Sequence, residues 1–147
     1  MNVRLPLSHL AIALVVFVAG LALAAPAQAA PFQEPLNFTL ASGDTYECQT
    51  LTIPSGTQLT VSFVSVYTEA STTGQQVTSV FLFTTISGQS SDAFLAVPVV
   101  STGAVSYVGT QVMTAFADSG SNSRLCVGRS TGTGTMSVYA TVTGTTA

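Results

Sequence analysis

The amino-acid sequence predicts an all-β protein: an antiparallel β-sandwich of eight or nine strands with Greek-key or jelly-roll connections, closed by one disulfide bond. Segments rich in valine, threonine and phenylalanine recur roughly every 8 to 14 residues, which is the spacing of a sandwich or barrel. Glycine, serine, aspartate or proline separates these segments and supplies the turns between them. No segment repeats its apolar residues with the period of an amphipathic helix.

Nine segments of a single domain, residues 30–147, are predicted to be strands. In chain order they are Pro35–Leu40, Glu47–Ile53, Gln58–Tyr67, Val77–Ile86, Ala93–Val100, Val105–Val108, Gln111–Ala117, Arg124–Gly128 and Thr135–Thr143. Turn chemistry supports the boundaries, because sequences such as Ser42-Gly43-Asp44 contain the glycine that adopts positive φ in tight turns.

Two of these segments carry further information about their surroundings. In Gln58–Tyr67 the alternation of apolar residues switches parity between Phe63 and Val64, and we expect a β-bulge there. Val80–Phe83 is apolar on both parities. This strand is therefore either covered on both faces or presents an exposed apolar face that binds a partner.

The last segment shows the cleanest alternation. From Met136 to Val142 every second residue is apolar, while the residues between them are serine, tyrosine and threonine. One face of this strand is therefore predicted to line the core and the other to face solvent.

Residues 1–29 are predicted to form a secretory signal peptide that is cleaved after Ala29. A short head with Arg4 precedes the apolar run Leu10–Ala25, and small residues follow at the spacing that signal peptidase requires. The apolar run is shorter than the roughly 20 residues that span a bilayer as a helix. We expect a soluble product that is extracellular, periplasmic or attached at the cell surface, with no membrane insertion once the leader is removed.

The two cysteines, Cys48 and Cys126, are predicted to form a structural disulfide. An even number of cysteines in an exported chain is typical of a disulfide, and neither the spacing of a redox motif nor a histidine for a zinc site accompanies them. In an alternating strand Cys126 points away from the side of Leu125 and Val127. Both sulfurs should therefore lie off the main core, linking neighbouring strands or a strand to a loop.

The composition excludes several classes of function. Lysine is absent and the single histidine, His9, belongs to the predicted leader, so a serine or cysteine nucleophile has no imidazole or amine base. We therefore expect no enzyme and no cofactor. Six acidic residues against three arginines, one of them Arg4, leave no electrostatic source for binding nucleic acid.

The carboxylates leave two alternatives open. Asp118 and Asn122 lie in a loop with alternating oxygen ligands and are the calcium candidates, although the loop lacks the acidic density of an EF-hand. A glycosidase would need two carboxylates about 5 to 10 Å apart. Asp44 with Glu47, or Asp92 with Asp118, are the possible pairs, but aspartate in such Gly-rich turns more often bonds its own backbone.

Arginines and tyrosines supply the remaining candidates for a binding surface. Arg124 and Arg129 should leave their strand on opposite sides, and each is expected to pair with an acid or, alternatively, with a ligand carboxylate. Exposed aromatic side chains would best mark a functional face, and Tyr67, Tyr107 and Tyr139 are the ones predicted to do so.

Several segments carry a resemblance to known proteins. Ile53–Val61, Gln75-Gln76-Val77 and Val112–Asp118, followed by a short turn and Arg129, are similar to a group of small secreted bacterial β-sandwich proteins without an assigned function. In that group Pro-Gly usually follows the aspartate, whereas this chain has Ser119-Gly120. A weaker similarity to chaperone-assembled pilins rests on the leader, size, composition and single disulfide. Pilins normally carry both cysteines in the first half of the domain, a pattern from which Cys126 departs. The first resemblance implies the fold and export but no activity.

These observations predict an exported, non-catalytic binding or structural module whose ligand or partner is unknown, with carbohydrate and self-association as the possibilities. One alternative is a self-assembling fibre subunit that donates Phe32–Leu40 to a neighbour's sheet edge. A calcium-dependent carbohydrate-binding domain is the other.

Overall fold

The computed structural model describes residues 29–95, 100–101 and 105–147, and its regular structure is entirely β-strand. The strands are β1 Ala30–Leu40, β2 Tyr46–Thr50, β3 Gln58–Ala70, β4 Val77–Ile86, β5 Gln89–Leu95, β6 Val100–Ser101, β7 Ser106–Asp118, β8 Arg124–Arg129 and β9 Met136–Thr146. Within these residues no helix has the length and apolarity needed to cross a membrane. The predicted leader lies outside the described residues apart from Ala29.

The strands form two antiparallel sheets. The order is β1-β9-β3-β7-β6 in the five-stranded sheet and β2-β8-β4-β5 in the four-stranded sheet. Successive strands mostly cross from one sheet to the other, and the hairpins within a sheet are β4–β5 and β6–β7. This is the connectivity of an eight-stranded jelly roll with the two-residue β6 added at one edge. The predicted β-sandwich is confirmed.

Two predicted strand boundaries were wrong. The segments Val105–Val108 and Gln111–Ala117 belong to one strand, β7, because Gly109 pairs with Val66 in the middle of the ladder rather than ending it. The predicted strand Ala93–Val100 is divided between the sheets: β5 ends at Leu95, and Val100 belongs to β6.

The core lies between the sheets and consists mainly of branched aliphatic side chains. The predicted alternation of β9 is confirmed, since Met136, Val138, Ala140 and Val142 are all buried. Side chains that point inward from β3, β4 and β8 complete the layer, including Leu59, Val61, Val64, Val66, Val80, Leu82, Leu125 and Val127.

The predicted bulge in β3 exists, but it lies at Ser62. The register of β3 against both β7 and β9 shifts between Val61 and Phe63. Phe63 is therefore on the outer side of the sheet, and the buried series runs Leu59, Val61, Val64. The kinked backbone passes so close to β9 that a Cβ atom on Gly144 would overlap the carbonyl oxygen of Thr60.

Replacing Gly144 with alanine should therefore lower the free energy of unfolding by about 1 to 3 kcal/mol, the usual cost of forcing an extra methyl group into a packed site. The contact is with backbone, which cannot rotate away. Urea denaturation followed by circular dichroism measures the effect. Thr145→Ala, at an exposed position of the same strand, is the matched control and should change stability by less than about 0.5 kcal/mol. Equal stability of the two variants would contradict the close approach at the bulge.

The disulfide joins Cys48 to Cys126 directly across the β2–β8 ladder, where the two residues are register partners. Leu125 and Val127 point into the core, so the bridge lies on the outer face of the four-stranded sheet, as the parity argument predicts. Tyr46 covers it, with its hydroxyl 3.0 Å from the Cys48 sulfur. A disulfide fits an oxidising, extracytoplasmic location.

The segment Phe32–Leu40, predicted as a possible donor strand, belongs to the edge strand β1. It pairs with β9 along its whole length and buries Leu36 and Leu40. Side chains also tie it to the opposite sheet, because the Glu34 carboxylate accepts the backbone N–H of Thr52 and the Gln49 amide oxygen accepts that of Asn37.

Candidate functional site

Two tyrosines on the outer face of the five-stranded sheet form the centre of the candidate site. Tyr67 on β3 and Tyr139 on β9 are register partners, and their ring centroids are 6.0 Å apart with planes inclined by 34°. They are 37% and 44% exposed. Asn37 on β1 and Val108 on β7 lie on either side of them in the same row across the sheet.

These residues line a shallow groove of about 480 Å³, which we call the tyrosine groove. Its second row consists of Pro35, Thr141 and Ser65, which pair side by side on β1, β9 and β3. None of the lining residues is charged. The groove therefore offers two aromatic rings together with amide and hydroxyl groups. Such a surface can stack on an apolar ligand face and exchange hydrogen bonds at its rim.

The apolar surface continues along the sheet beyond the bulge. Val112 is 82% exposed, and Phe116, further along β7, is 42% exposed. Val112 lies beside Phe63 of β3 in the ladder. A ligand longer than the groove would find apolar contacts along this line.

Of the three tyrosines predicted to mark the functional face, Tyr67 and Tyr139 are in the groove, and the prediction for Tyr107 was wrong. Tyr107 is 6% exposed, because it lies on the inward parity of β7. Its hydroxyl donates to the backbone carbonyl of Gln75, a residue with no exposed surface.

Arg129 belongs to the same buried polar cluster. It is 3% exposed, and its guanidinium donates to the backbone carbonyls of Asp44 and Ala41 at 2.7 and 2.6 Å and to the Gln75 side-chain oxygen at 2.5 Å. The Gln75 amide nitrogen in turn donates to the Thr72 hydroxyl. The prediction that Arg129 pairs with an acid was therefore wrong, because its hydrogen-bond acceptors are carbonyl oxygens. Arg129 closes one end of the sandwich and is not available to a ligand.

Arg124 leaves the strand on the opposite side from Arg129, as predicted. Its guanidinium carbon lies 4.8 Å from the centre of the Phe83 ring on the outer face of the four-stranded sheet. Arg124 therefore makes a cation–π contact instead of the ion pair that was predicted for it.

The calcium candidate Asp118 joins the start of β3 to the turn between β4 and β5. Its carboxylate accepts the Gln58 amide nitrogen at 2.9 Å and the backbone N–H of Ser87 at 2.6 Å. The bond from Gln58, followed by that from Ser87, lowers the pKa of this carboxyl below its usual value. Asn122 is exposed in the following turn. Among the described residues no three His, Cys, Asp or Glu side chains come together as a metal site, and calcium binding here stays a prediction from the sequence.

The other carboxylates considered for glycosidase chemistry lie apart from the tyrosine groove, which none of them lines. Asp44 is in the β1–β2 connection, where its backbone holds Arg129. Glu47 is on β2 and accepts the N–H of Cys48. Asp92 is on β5, opposite Phe83.

Three exposed aromatic residues were not anticipated from the sequence: Phe116, Tyr46, which is 45% exposed, and Phe94, which is 69% exposed. Tyr46 and Phe94 lie on the outer face of the four-stranded sheet beside Phe81. The sequence feature that indicated this face was the segment Val80–Phe83, in which the outward-facing residues are apolar as well as the inward-facing ones.

Comparison of this chain with protein-family models finds no model that matches, and a search of the curated proteins finds no relative.

Proposed function

We propose that this protein is an exported, non-catalytic binding module that holds a neutral glycan chain in the tyrosine groove. The observation that carries the proposal is the pair of adjacent, half-exposed tyrosine rings on a sheet face whose lining is uncharged.

The aromatic pair suits a sugar because the axial C–H groups of a pyranose form an apolar face that stacks on an aromatic ring. Tyrosine supplies a rigid ring with a polar tip, so it binds such a face with little loss of side-chain freedom. The rings of Tyr67 and Tyr139 are inclined rather than coplanar, which favours a chain that twists between successive units. The sheet beneath keeps both rings in place, since each tyrosine is backed by a core strand.

The remaining lining groups favour an uncharged ligand. A charged polysaccharide would require an arginine, lysine or carboxylate partner, and the groove contains none. Asn37, Ser65 and Thr141 offer both donors and acceptors, which match the hydroxyl groups of a neutral sugar. The apolar line toward Val112 and Phe116 supports a polymer rather than a monosaccharide, so affinity should rise with chain length.

The proposal predicts retention on at least one insoluble neutral polysaccharide, tested with cellulose, chitin, xylan, mannan and starch. Titration calorimetry with soluble oligosaccharides of the retained polymer then gives the affinity of a single site. Tyr67→Ala and Tyr139→Ala should each weaken binding about 5- to 15-fold, corresponding to the roughly 1 to 1.5 kcal/mol that an aromatic contact contributes beyond its buried area. The double variant should bind too weakly to measure.

Tyr46→Ala is the matched control, since Tyr46 is a tyrosine of similar exposure on the other sheet. It should leave the affinity unchanged. A chelator should also leave it unchanged, because the groove brings no acidic ligands together; a loss of binding on chelation would favour a calcium-dependent site instead. Retention on none of the polymers, or wild-type affinity in both groove variants, would refute the proposal.

A further inference from the structure

The outer face of the four-stranded sheet carries a second set of aromatic rings, of which Tyr46 and Phe94 are exposed and Phe81 and Phe83 half-buried. We call these four residues, with Arg124 and Asp92, the aromatic face. The ring centroids of Tyr46 and Phe81 are 5.6 Å apart in a stacked arrangement, and those of Phe81 and Phe94 are 5.5 Å apart. The rings therefore form a continuous apolar band across all four strands.

Two charges of opposite sign flank the centre of this face. Arg124 and Asp92 are the register partners of Phe83 on its two sides, so they lie two strand spacings, or roughly 10 Å, apart. Neither forms an ion pair within the described part of the chain. The Nε atom of Arg124 is buried and has no hydrogen-bond partner there. Arg124 as a residue is only half-buried, so a carboxylate from outside the fold can pair with the charge of its guanidinium.

We propose that the aromatic face is the interface of a symmetric homodimer. A two-fold axis that lies in the interface parallel to β4 exchanges the two sides of the face and leaves its centre in place. Arg124 of each copy then meets Asp92 of the other, and the Phe83 rings meet at the axis. The same operation sets the protruding Phe94 of one copy over the region of Cys126 in the other, where the Tyr46 and Phe81 rings cover the disulfide.

Charge complementarity selects a second copy as the occupant. In a symmetric dimer both copies supply the same surface, so the cation and the anion of each intermolecular charge pair must both be present on that surface. Here one cation and one anion occupy equivalent positions on either side of the Phe83 ring. The groups on this face are also those that interfaces favour at their centre, namely tyrosine, phenylalanine and arginine.

The size of the face is that of a weak, reversible interface. The strands of this sheet have 5, 6, 10 and 7 residues, and at about 3.4 Å per residue and about 4.8 Å between strands they give a surface of roughly 460 Å² before side-chain relief is counted. Standard interfaces bury about 800 Å² per partner, and weaker ones less than about 600 Å². The dimer should therefore be a weak one, present at submillimolar to millimolar protein concentration.

Sedimentation equilibrium over a range of concentrations tests the interface. The wild-type protein should be dimeric, and the single reversals Arg124→Asp and Asp92→Arg should each raise the dissociation constant at least 10-fold by placing like charges together. The double variant, which exchanges the two charges, should have a dissociation constant at least 10-fold lower than that of either single reversal. Glu69→Arg, an exposed charge reversal on the other sheet, is the control and should leave the dimer intact.

Three results would overturn the inference: a protein that stays monomeric at millimolar concentration, single reversals that dimerise as the wild type does, or a double variant no stronger than the singles. Phe94→Ser should also dissociate the dimer while the groove keeps its affinity for oligosaccharide. Failure of the glycan proposal leaves this outcome unaffected, because the two surfaces lie on opposite sheets.

Discussion

Replacing Arg129 with methionine should lower the free energy of unfolding by about 2 to 4 kcal/mol, because a buried acceptor that loses its donor costs about 1 to 3 kcal/mol and two further hydrogen bonds are lost. Methionine keeps the apolar stem but leaves the part-buried Asp44 carbonyl and the fully buried Gln75 side-chain oxygen without this donor. Each unsatisfied buried acceptor costs about 1 to 3 kcal/mol. Arg129→Lys should recover only part of the loss, because a single ammonium cannot match the forked guanidinium.

Arg124→Met is the matched control, since it removes the same charge from the same strand on the opposite face. There the loss is one cation–π contact on a half-buried residue, worth about 0.5 to 1 kcal/mol. Urea unfolding of the monomer at low concentration, followed by circular dichroism, gives both values, with an unchanged m-value as the check that unfolding stays two-state. A difference between the two methionine variants of less than about 1 kcal/mol would contradict the structural role of Arg129.

The double substitution Cys48→Ala with Cys126→Ala should destabilise the protein by about 4 kcal/mol in the chain-entropy account of disulfides, given a sequence separation of 78 residues. The fold should survive near room temperature, because β2 and β8 also share a ladder that does not depend on the sulfurs. The comparison is urea denaturation of wild type and variant with and without reductant.

Reductant supplies the control for this substitution. The reduced wild-type protein should unfold at the same urea concentration as the double variant, whereas reductant should not change the variant at all. A wild-type midpoint that is insensitive to full reduction would show that the cross-link contributes little. Because Tyr46 lies over the bridge, Tyr46→Ala should also speed its reduction in the folded protein.

Much of the fold could be predicted because the alternation of apolar and polar residues along a strand determines which side chains face the core. In β9 and β8 one face is apolar at every second position, so the burial of Met136 to Val142 and the outward direction of Cys126 and Arg124 follow from parity alone. The bulge in β3 was displaced because Phe63 and Val64 are both apolar. Such a pair does not reveal which member faces the core.

The candidate site was only partly predictable for a different reason. Tyr67 and Tyr139 were identified as exposed, but their contact depends on β3 and β9 being neighbours, which no local pattern specifies. Tyr107 was misjudged because the break assumed near Gly109 concealed its inward parity. The cluster of Arg129 with Gln75 and the Asp44 carbonyl joins parts of the chain that only the tertiary fold brings together.

The pairing of β1 with β9 also governs when the fold can form. Ala30 lies opposite Thr146, and β2 finds its partner only in β8, so the first strands of the domain have no sheet to join until the last ones exist. Contacts this distant along the chain are characteristic of folding on the millisecond-to-second scale. A ribosome or a translocation channel therefore delivers the early strands long before their partners. The nascent chain must stay open, and the jelly roll closes only after β8 and β9 have been delivered.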